Sequence, residues 1–376
     1  MKNKNKKNNK ILTKKKVSPL FDLKARLFIV VGLFVFAGVF FSLSIFLNGF
    51  DILPVLAHDK VKNDTPPMTV VLKPEEYYRR FDGQKVKDAA AANLWPVGVM
   101  IENLLSVRPQ AGLSQASIIY ETLAEGGATR FLVLFTGGST APVIGPVRSA
   151  RPYYLDWAYE YAALYAHAGG SPAALGNIRD YDTNDLNALS RDAVYFWRDH
   201  TLFAPHNLFT SGEKLVYALR DKGLLEKQST TRMWLFKDDA VLADRGEDQK
   251  FYKVKFSSYT YEVEWKYIKE ENLYLRYNAD QVQVDANNKQ ELKAKNIIVQ
   301  IVPPEEYLGE KGRLGLSTHG EGKAFVLRDG LAVEGTWKKP ERTDRTIFYD
   351  SSGQEIEFNR GQTWVEVIPE GREWEW

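Results

Sequence analysis

The feature that most constrains this chain is an uncharged run of twenty-one residues, Leu27 to Leu47, reading LFIVVGLFVFAGVFFSLSIFL. As a helix rising about 1.5 Å per residue it reaches roughly 30 Å, the thickness of a bilayer's hydrocarbon core. Ahead of it, residues 1–26 carry ten Lys or Arg against the single Asp22. Basic flanks stay cytoplasmic, so the sequence predicts a cytoplasmic tail (1–26), a single transmembrane anchor (27–47) and an extracytoplasmic body after Phe50. The competing reading is a signal peptide cleaved near Ala57, in Val55-Leu56-Ala57, which gives a secreted body. The run is longer than a usual signal core, which favours the uncleaved anchor. Both readings export the body.

The formal net charge of +2 follows from that leader, and the rest of the chain is mildly acidic. Nucleic acid is therefore not expected as a partner, because the bases flank an apolar segment and do not form a folded basic face. With no cysteine, the chain has no disulfide, no thiol nucleophile and no thioether-linked lipid.

Residues 48–92 read as a tether with Pro66 and Pro67 and a charged stretch. From Trp95 short apolar runs alternate with turn signals. Strands are expected at 96–101, 116–120, 130–135 and 162–166, and helices at 152–160 and 172–180, each opened by proline, and at 211–222 with Ser211 as N-cap. This predicts an α/β or α+β domain over 93–225. A polar connection (226–250) leads to a mostly β domain over 251–376. There, alternating runs at 251–256, 259–265, 273–277, 296–302, 322–327, 331–338, 346–349 and 363–368 imply sheets buried on one face.

The chemistry-bearing residues cluster around IGPVRSARP (144–152). Arg148 and Arg151, with Arg130 from the ATRF segment, have the guanidinium forks that bind carboxylate or phosphate, and a helix opening at Pro152 would add its N-terminal amides. Pairing of these arginines with Glu121 and Glu125 as a structural network is the alternative. His167 and His206 each follow an apolar or aromatic stretch and are candidate acid/base groups, as is Glu121. With a carboxylate they would make a metal site, but no HExxH-type spacing supports one, and neither metal nor cofactor is expected. Ser171 after Gly169-Gly170, with His206 and Asp180, Asp182 or Asp199, invites a hydrolase reading. AHAGGSP lacks the G-x-S-x-G elbow, however, and Ser171 is better read as an N-cap. Asn207 beside His206 completes the candidate ligand-binding set. Tyr153, Tyr154, Trp157, Tyr195, Phe196, Trp197 and Phe203 could form a sugar-stacking rim or core. Trp337, Lys338, Tyr349, Trp364 and His319 are candidates for an interdomain face, with packing the simpler account of the two tryptophans.

The ordered blocks RPQAGLSQASIIYETLAEGGATRFLVLF, IGPVRSARPYY, HAGGSP, YFWRD and APHNLFTS, followed by AKNIIVQ, GKAFVLRDG, TWKK, FYDSSGQEIEFN and GQTWVEVIP, resemble the YerB-like family of extracytoplasmic bacterial lipoproteins. Coverage runs from about Trp95 to about Pro369. The resemblance implies an envelope location, two subdomains in this order, no assigned activity and a role connected with cell-wall assembly. Relatives carry a lipid-modified cysteine that this chain lacks, so the apolar run would replace the lipid. Two functions are expected from these observations. One is a binding or scaffold module for a cell-wall glycan, another anionic wall component or an envelope synthase. The other is a wall-polymer hydrolase or transferase using Glu121, Arg148, Arg151 and His206.

Overall fold

The computed structural model describes residues 75–376. The tail, the anchor, the Ala57 cleavage site and most of the tether lie outside the described residues, and no helix within them is long and apolar enough to cross a membrane. The first half supplies strands β1 (Pro96–Glu102), β2 (Ile118–Leu123) and β3 (Thr129–Thr136), helix α1 (Pro152–Tyr159), β4 (Leu164–His167), helix α2 (Pro172–Asp180), β5 (Asp185–Asn187) and helix α3 (Gly212–Asp221). The second half is mostly β: β6 (Phe251–Lys255), β7 (Glu262–Ile268), β8 (Leu273–Asn278), β9 (Asn296–Val302), β10 (Gly320–Arg328), β11 (Leu331–Lys339), β12 (Ile347–Asp350) and β13 (Thr363–Pro369).

Ten of these strands form one sheet in the order β12-β11-β10-β9-β13-β2-β3-β1-β4-β5. The two halves of the sequence meet in its middle, where β13 lies parallel to both β9 and β2. A smaller antiparallel sheet holds β8, β7 and β6 in that order, extended by short end strands.

Residue alternation explains how the layers stack. From β1, Val97, Val99 and Ile101 enter the core shared with Tyr252, Val254, Trp265 and Tyr274 of the small sheet, while Met100 joins the core under α1 with Tyr154 and Trp157. In β13, Trp364 and Ile368 face the small sheet, and Val365 and Val367 face the other way. The expectation of sheets buried on one face holds for β7, whose burial alternates residue by residue. It fails for β13, which is buried along its full length, as β1 of the first half also is. The reason is that the long sheet is covered twice, by the small sheet on one face and by α1 on the other, and a sheet covered on both faces needs continuous apolar runs such as PVGVMI and TWVEVI.

Helix α1 is fixed to the long sheet by its aromatics. Tyr153 donates its hydroxyl to Leu123 O (3.0 Å), Tyr154 to Thr122 O (2.9 Å) and Arg130 O (2.6 Å), and Trp157 stacks on Tyr120 with ring centroids 5.2 Å apart. Tyr153, Tyr154 and Trp157 are therefore core and cannot form a sugar-stacking rim. Trp337 and Trp364 are likewise fully buried, so packing is the correct account of both and they line no open face.

Candidate functional site

The IGPVRSARP segment runs past the C-terminal end of β1. Val147 bridges to Ile101 in antiparallel fashion, Glu102 N donates to Pro146 O (3.0 Å) and Arg148 N to Met100 O (2.9 Å). Gly145 is required at the entry to this segment, because its φ is +145° and a Cβ there would lie 2.9 Å from Phe209 and 3.0 Å from Leu208 O. Along the segment Val147 and Ala150 are buried, and Arg148, Ser149 and Arg151 are half-buried. Arg151 is the residue before Pro152, so α1 opens directly behind its guanidinium.

Arg130, at the start of β3, is paired in register with Glu102 at the end of β1. These neighbours enclose an open cleft of about 280 Å³ lined by Glu102, Glu125, Arg130, Arg148, Arg151, Lys311, Arg313 and three uncharged residues. Five cationic side chains face two carboxylates, an excess of three positive charges. Glu125 pairs with Arg151 through its Nε and lies 3.5 Å from Arg130 Nη2. Burial works against ionisation of Glu125, but Arg151 and Arg130 outweigh it and hold the carboxyl below its ordinary value.

Arg148 is placed differently. Its Nε stands 3.0 Å from Glu102 Oε1, within ion-pair range, yet that buried N–H is not aligned for a hydrogen bond, and no protein acceptor meets its Nη1 or Nη2 among the described residues. Burial lowers its affinity for the proton, and the neighbouring Arg130 and Arg151 act in the same direction, against the opposing pull of Glu102. Lys311 and Arg313 make no side-chain ion pair among the described residues either. Unsatisfied guanidinium donors within a net positive recess are the complement of an anion.

His206, which lines the neighbouring cavity, places Nδ1 2.8 Å from Glu102 Oε2, and its Nε2 meets no partner among the described residues. Glu102 thus serves both Arg148 and His206 while only 3% of its side chain is exposed.

Other expected members of the site lie elsewhere. Glu121 does not reach the cleft, because it points from β2 into the core between the two sheets and pairs there with Arg276. Glu121 is in strand β2, and Glu125 is in the turn after it. His167 is fully buried, its Nδ1 2.7 Å from Gly169 O and its Nε2 2.6 Å from Asp185 Oδ1, so neither nitrogen is free for acid/base work or for a metal. Ser171 Oγ accepts from Ala174 N (3.2 Å) and caps α2, which removes it as a nucleophile paired with His206. Asn207 is buried and braces the 199–206 loop, donating to Asp199 O (3.1 Å) and Leu202 O (3.2 Å) and accepting from Arg198 (2.7 Å). It is a scaffold residue and not a ligand contact. His319 is exposed, and of the seven first-half aromatics only Phe203 borders a cavity next to the cleft.

Sequence reasoning missed Glu102, Lys311 and Arg313. Glu102 carried a signal, a carboxylate ending the otherwise apolar run PVGVMI, where a charge is costly to bury without a partner. Lys311 and Arg313 carried none, since GEKGRLG reads as an ordinary polar loop.

A sheet built from both halves of the chain, with a cationic cleft at the β1 end, defines a two-part α/β-plus-β protein. The chain belongs to the family described as a protein of unknown function, DUF3048: the N-terminal domain model matches residues 81–225 and the C-terminal domain model residues 252–365. It is 29% identical over 279 residues, 73% of this chain and 81% of the relative, to the Bacillus subtilis (strain 168) protein named "Putative lipoprotein YerB". The crystal structure of YerB from Bacillus subtilis superposes with a TM-score of 0.70 at 27% identity, covering 80% of this chain and 99% of that one.

Proposed function

We propose that this chain is a membrane-anchored extracytoplasmic protein whose body binds an anionic group of a cell-envelope component in the Arg130–Arg148–Arg151 cleft. The location rests on the basic leader, the apolar run that follows it and the likeness to a protein named as a lipoprotein. The observation that carries the binding assignment is Arg148, whose terminal guanidinium nitrogens meet no protein acceptor among the described residues, in a cleft with three excess positive charges. Binding is favoured over turnover because the serine and two of the three acid/base candidates are bound into the scaffold. The test is calorimetry on the full chain with inorganic diphosphate and with wall fragments bearing carboxylates or phosphates. Saturable binding that disappears in Arg148→Ala/Arg151→Ala is expected, and equal binding by the variant overturns the assignment.

One observation favours a second reading, a wall-polymer hydrolase or transferase. The Glu102–His206 pair leaves Nε2 of His206 free beside the cleft, the orientation of a general base. Loss of wall-fragment turnover in His206→Ala is the result this reading requires.

A further inference from the structure

On the far side of the Glu102–His206 pair lies a second cavity, of about 480 Å³, whose lining includes Val107, Pro109, Val143, Pro146, Leu202 and Phe203. Its one arginine, Arg108, is tied to the scaffold, each of its three nitrogens donating to Asn103 or to Thr260 O. Large apolar side chains are left in water at its mouth: Phe203 is 90% exposed, Leu202 45%, and Leu105, in the turn that supplies Val107, 63%. The loop bearing Leu202 and Phe203 is not loose at its base, because Asn207 holds it through two backbone carbonyls. A braced loop that presents apolar groups outward beside a recess of small-molecule size marks a binding surface.

The two cavities meet at one residue pair, with His206 lining the apolar groove and its partner Glu102 lining the cationic cleft. We infer that together they form one bipartite site for an amphipathic phosphate, the phosphate or diphosphate ester of a long-chain alcohol. Its head would lie on Arg148 and Arg151 and its chain along the Leu202–Phe203 groove. This inference rests on the anion-binding reading above. Charge selects the head group: a single carboxylate neutralises one of the three excess charges, whereas a phosphomonoester carries about −1.5 to −2 and offers three acceptor oxygens to the guanidinium forks. A diphosphate matches the excess more fully. The groove selects the tail, since a free inorganic anion would leave Leu202 and Phe203 in water.

The experiment uses the full chain in zwitterionic-lipid nanodiscs, with empty discs as the blank, titrated with inorganic diphosphate, geranyl diphosphate, farnesyl diphosphate and farnesol. Farnesyl diphosphate is expected to bind at least tenfold more tightly than inorganic diphosphate, with geranyl diphosphate between them. Leu202→Ser/Phe203→Ser should abolish that chain-length gain while leaving inorganic diphosphate unchanged, and Arg148→Ala/Arg151→Ala should abolish binding of all three anions. Equal affinity for inorganic and farnesyl diphosphate overturns the bipartite site and leaves the anion site standing. Failure of every anion to bind overturns both, as does farnesol binding as tightly as its diphosphate. A dimer that Leu202→Ser/Phe203→Ser dissolves, with no chain-length effect, assigns the groove to a second copy and overturns the inference.

Discussion

Two arginine–carboxylate clusters lie at different depths of this molecule, and their difference separates structure from function. In the core, Arg276 reaches from β8 of the small sheet between Glu121 and Glu366, which are register partners on the adjacent parallel strands β2 and β13. All three side chains are completely buried. Every arm of the guanidinium is occupied: Nε donates to Gln283 (2.5 Å), Nη1 to Glu366 Oε1 (2.7 Å) and Nη2 to Glu121, and the ring of Trp364 lies 4.2 Å from its Cζ. At the cleft, by contrast, Arg148 keeps terminal donors with no protein acceptor among the described residues. The same residue types thus make a closed clamp where two sheets are joined and an open cationic cleft where a strand end meets solvent.

The largest expected effect lies in the clamp. Arg276→Ala leaves the buried Glu121 carboxylate without its counter-ion and should cost about 3–5 kcal/mol, read as a fall in the urea midpoint. A loss under 1 kcal/mol would show that the clamp is dispensable.

Arg148→Ala/Arg151→Ala is the converse. Each charge-assisted hydrogen bond to a ligand is worth about 1.5–3 kcal/mol, so anion affinity should drop at least a hundredfold. Stability should fall by only about 1–3 kcal/mol, because Glu102 keeps His206 and Glu125 keeps Arg130 as partners when the two guanidiniums are removed. A variant that unfolds instead would move Arg148 and Arg151 into the structural class.

The third prediction concerns pH. Burial pushes the Glu366 carboxyl up to about 8, with Arg276 opposing and Glu121 reinforcing the rise. The excess proton of the clamp belongs on Glu366, whose Oε2 meets no donor among the described residues, whereas both oxygens of Glu121 receive donors from Asn103, Thr129 and Arg276. Between its ordinary value, 4.5, and 8, the folded state holds a proton that the unfolded state has released. Stability from this group therefore falls as pH rises through that window, by up to about 1.4 kcal/mol per unit, and levels off above it. Glu366→Gln, a mimic of the protonated acid, should remove the slope and gain on wild type between pH 5 and pH 8. Parallel stability–pH curves for the two proteins would place the proton elsewhere. The smallest effect is expected at Ser171→Ala, where loss of the α2 cap should cost about 1 kcal/mol in thermal stability.

Much of the architecture was legible in the sequence. Helices α1 and α2 open at their prolines, Ser171 and Ser211 cap α2 and α3, and the apolar runs fall in strands to within a few residues. The candidate site was legible only where neighbouring residues cooperate. Arg148 and Arg151 stand out because three positions separate them beside a Gly-Pro turn. Glu121 misled because a glutamate in YETL looks the same whether it faces a cleft or an arginine 155 residues away in the chain. His167 misled likewise, because its partner Asp185 is on a neighbouring strand.

By itself, then, the sequence determined the local conformations and the Arg148–Arg151 pair, set by residues within a few positions of one another, and the family membership, carried by ordered blocks along the chain. Only the tertiary structure decided that the two halves share one sheet, that Glu121 belongs to a sealed clamp, and that Glu102, Lys311 and Arg313 complete the cleft. Those outcomes depend on which strands become neighbours and which face each side chain takes, and a strand carries no local record of either.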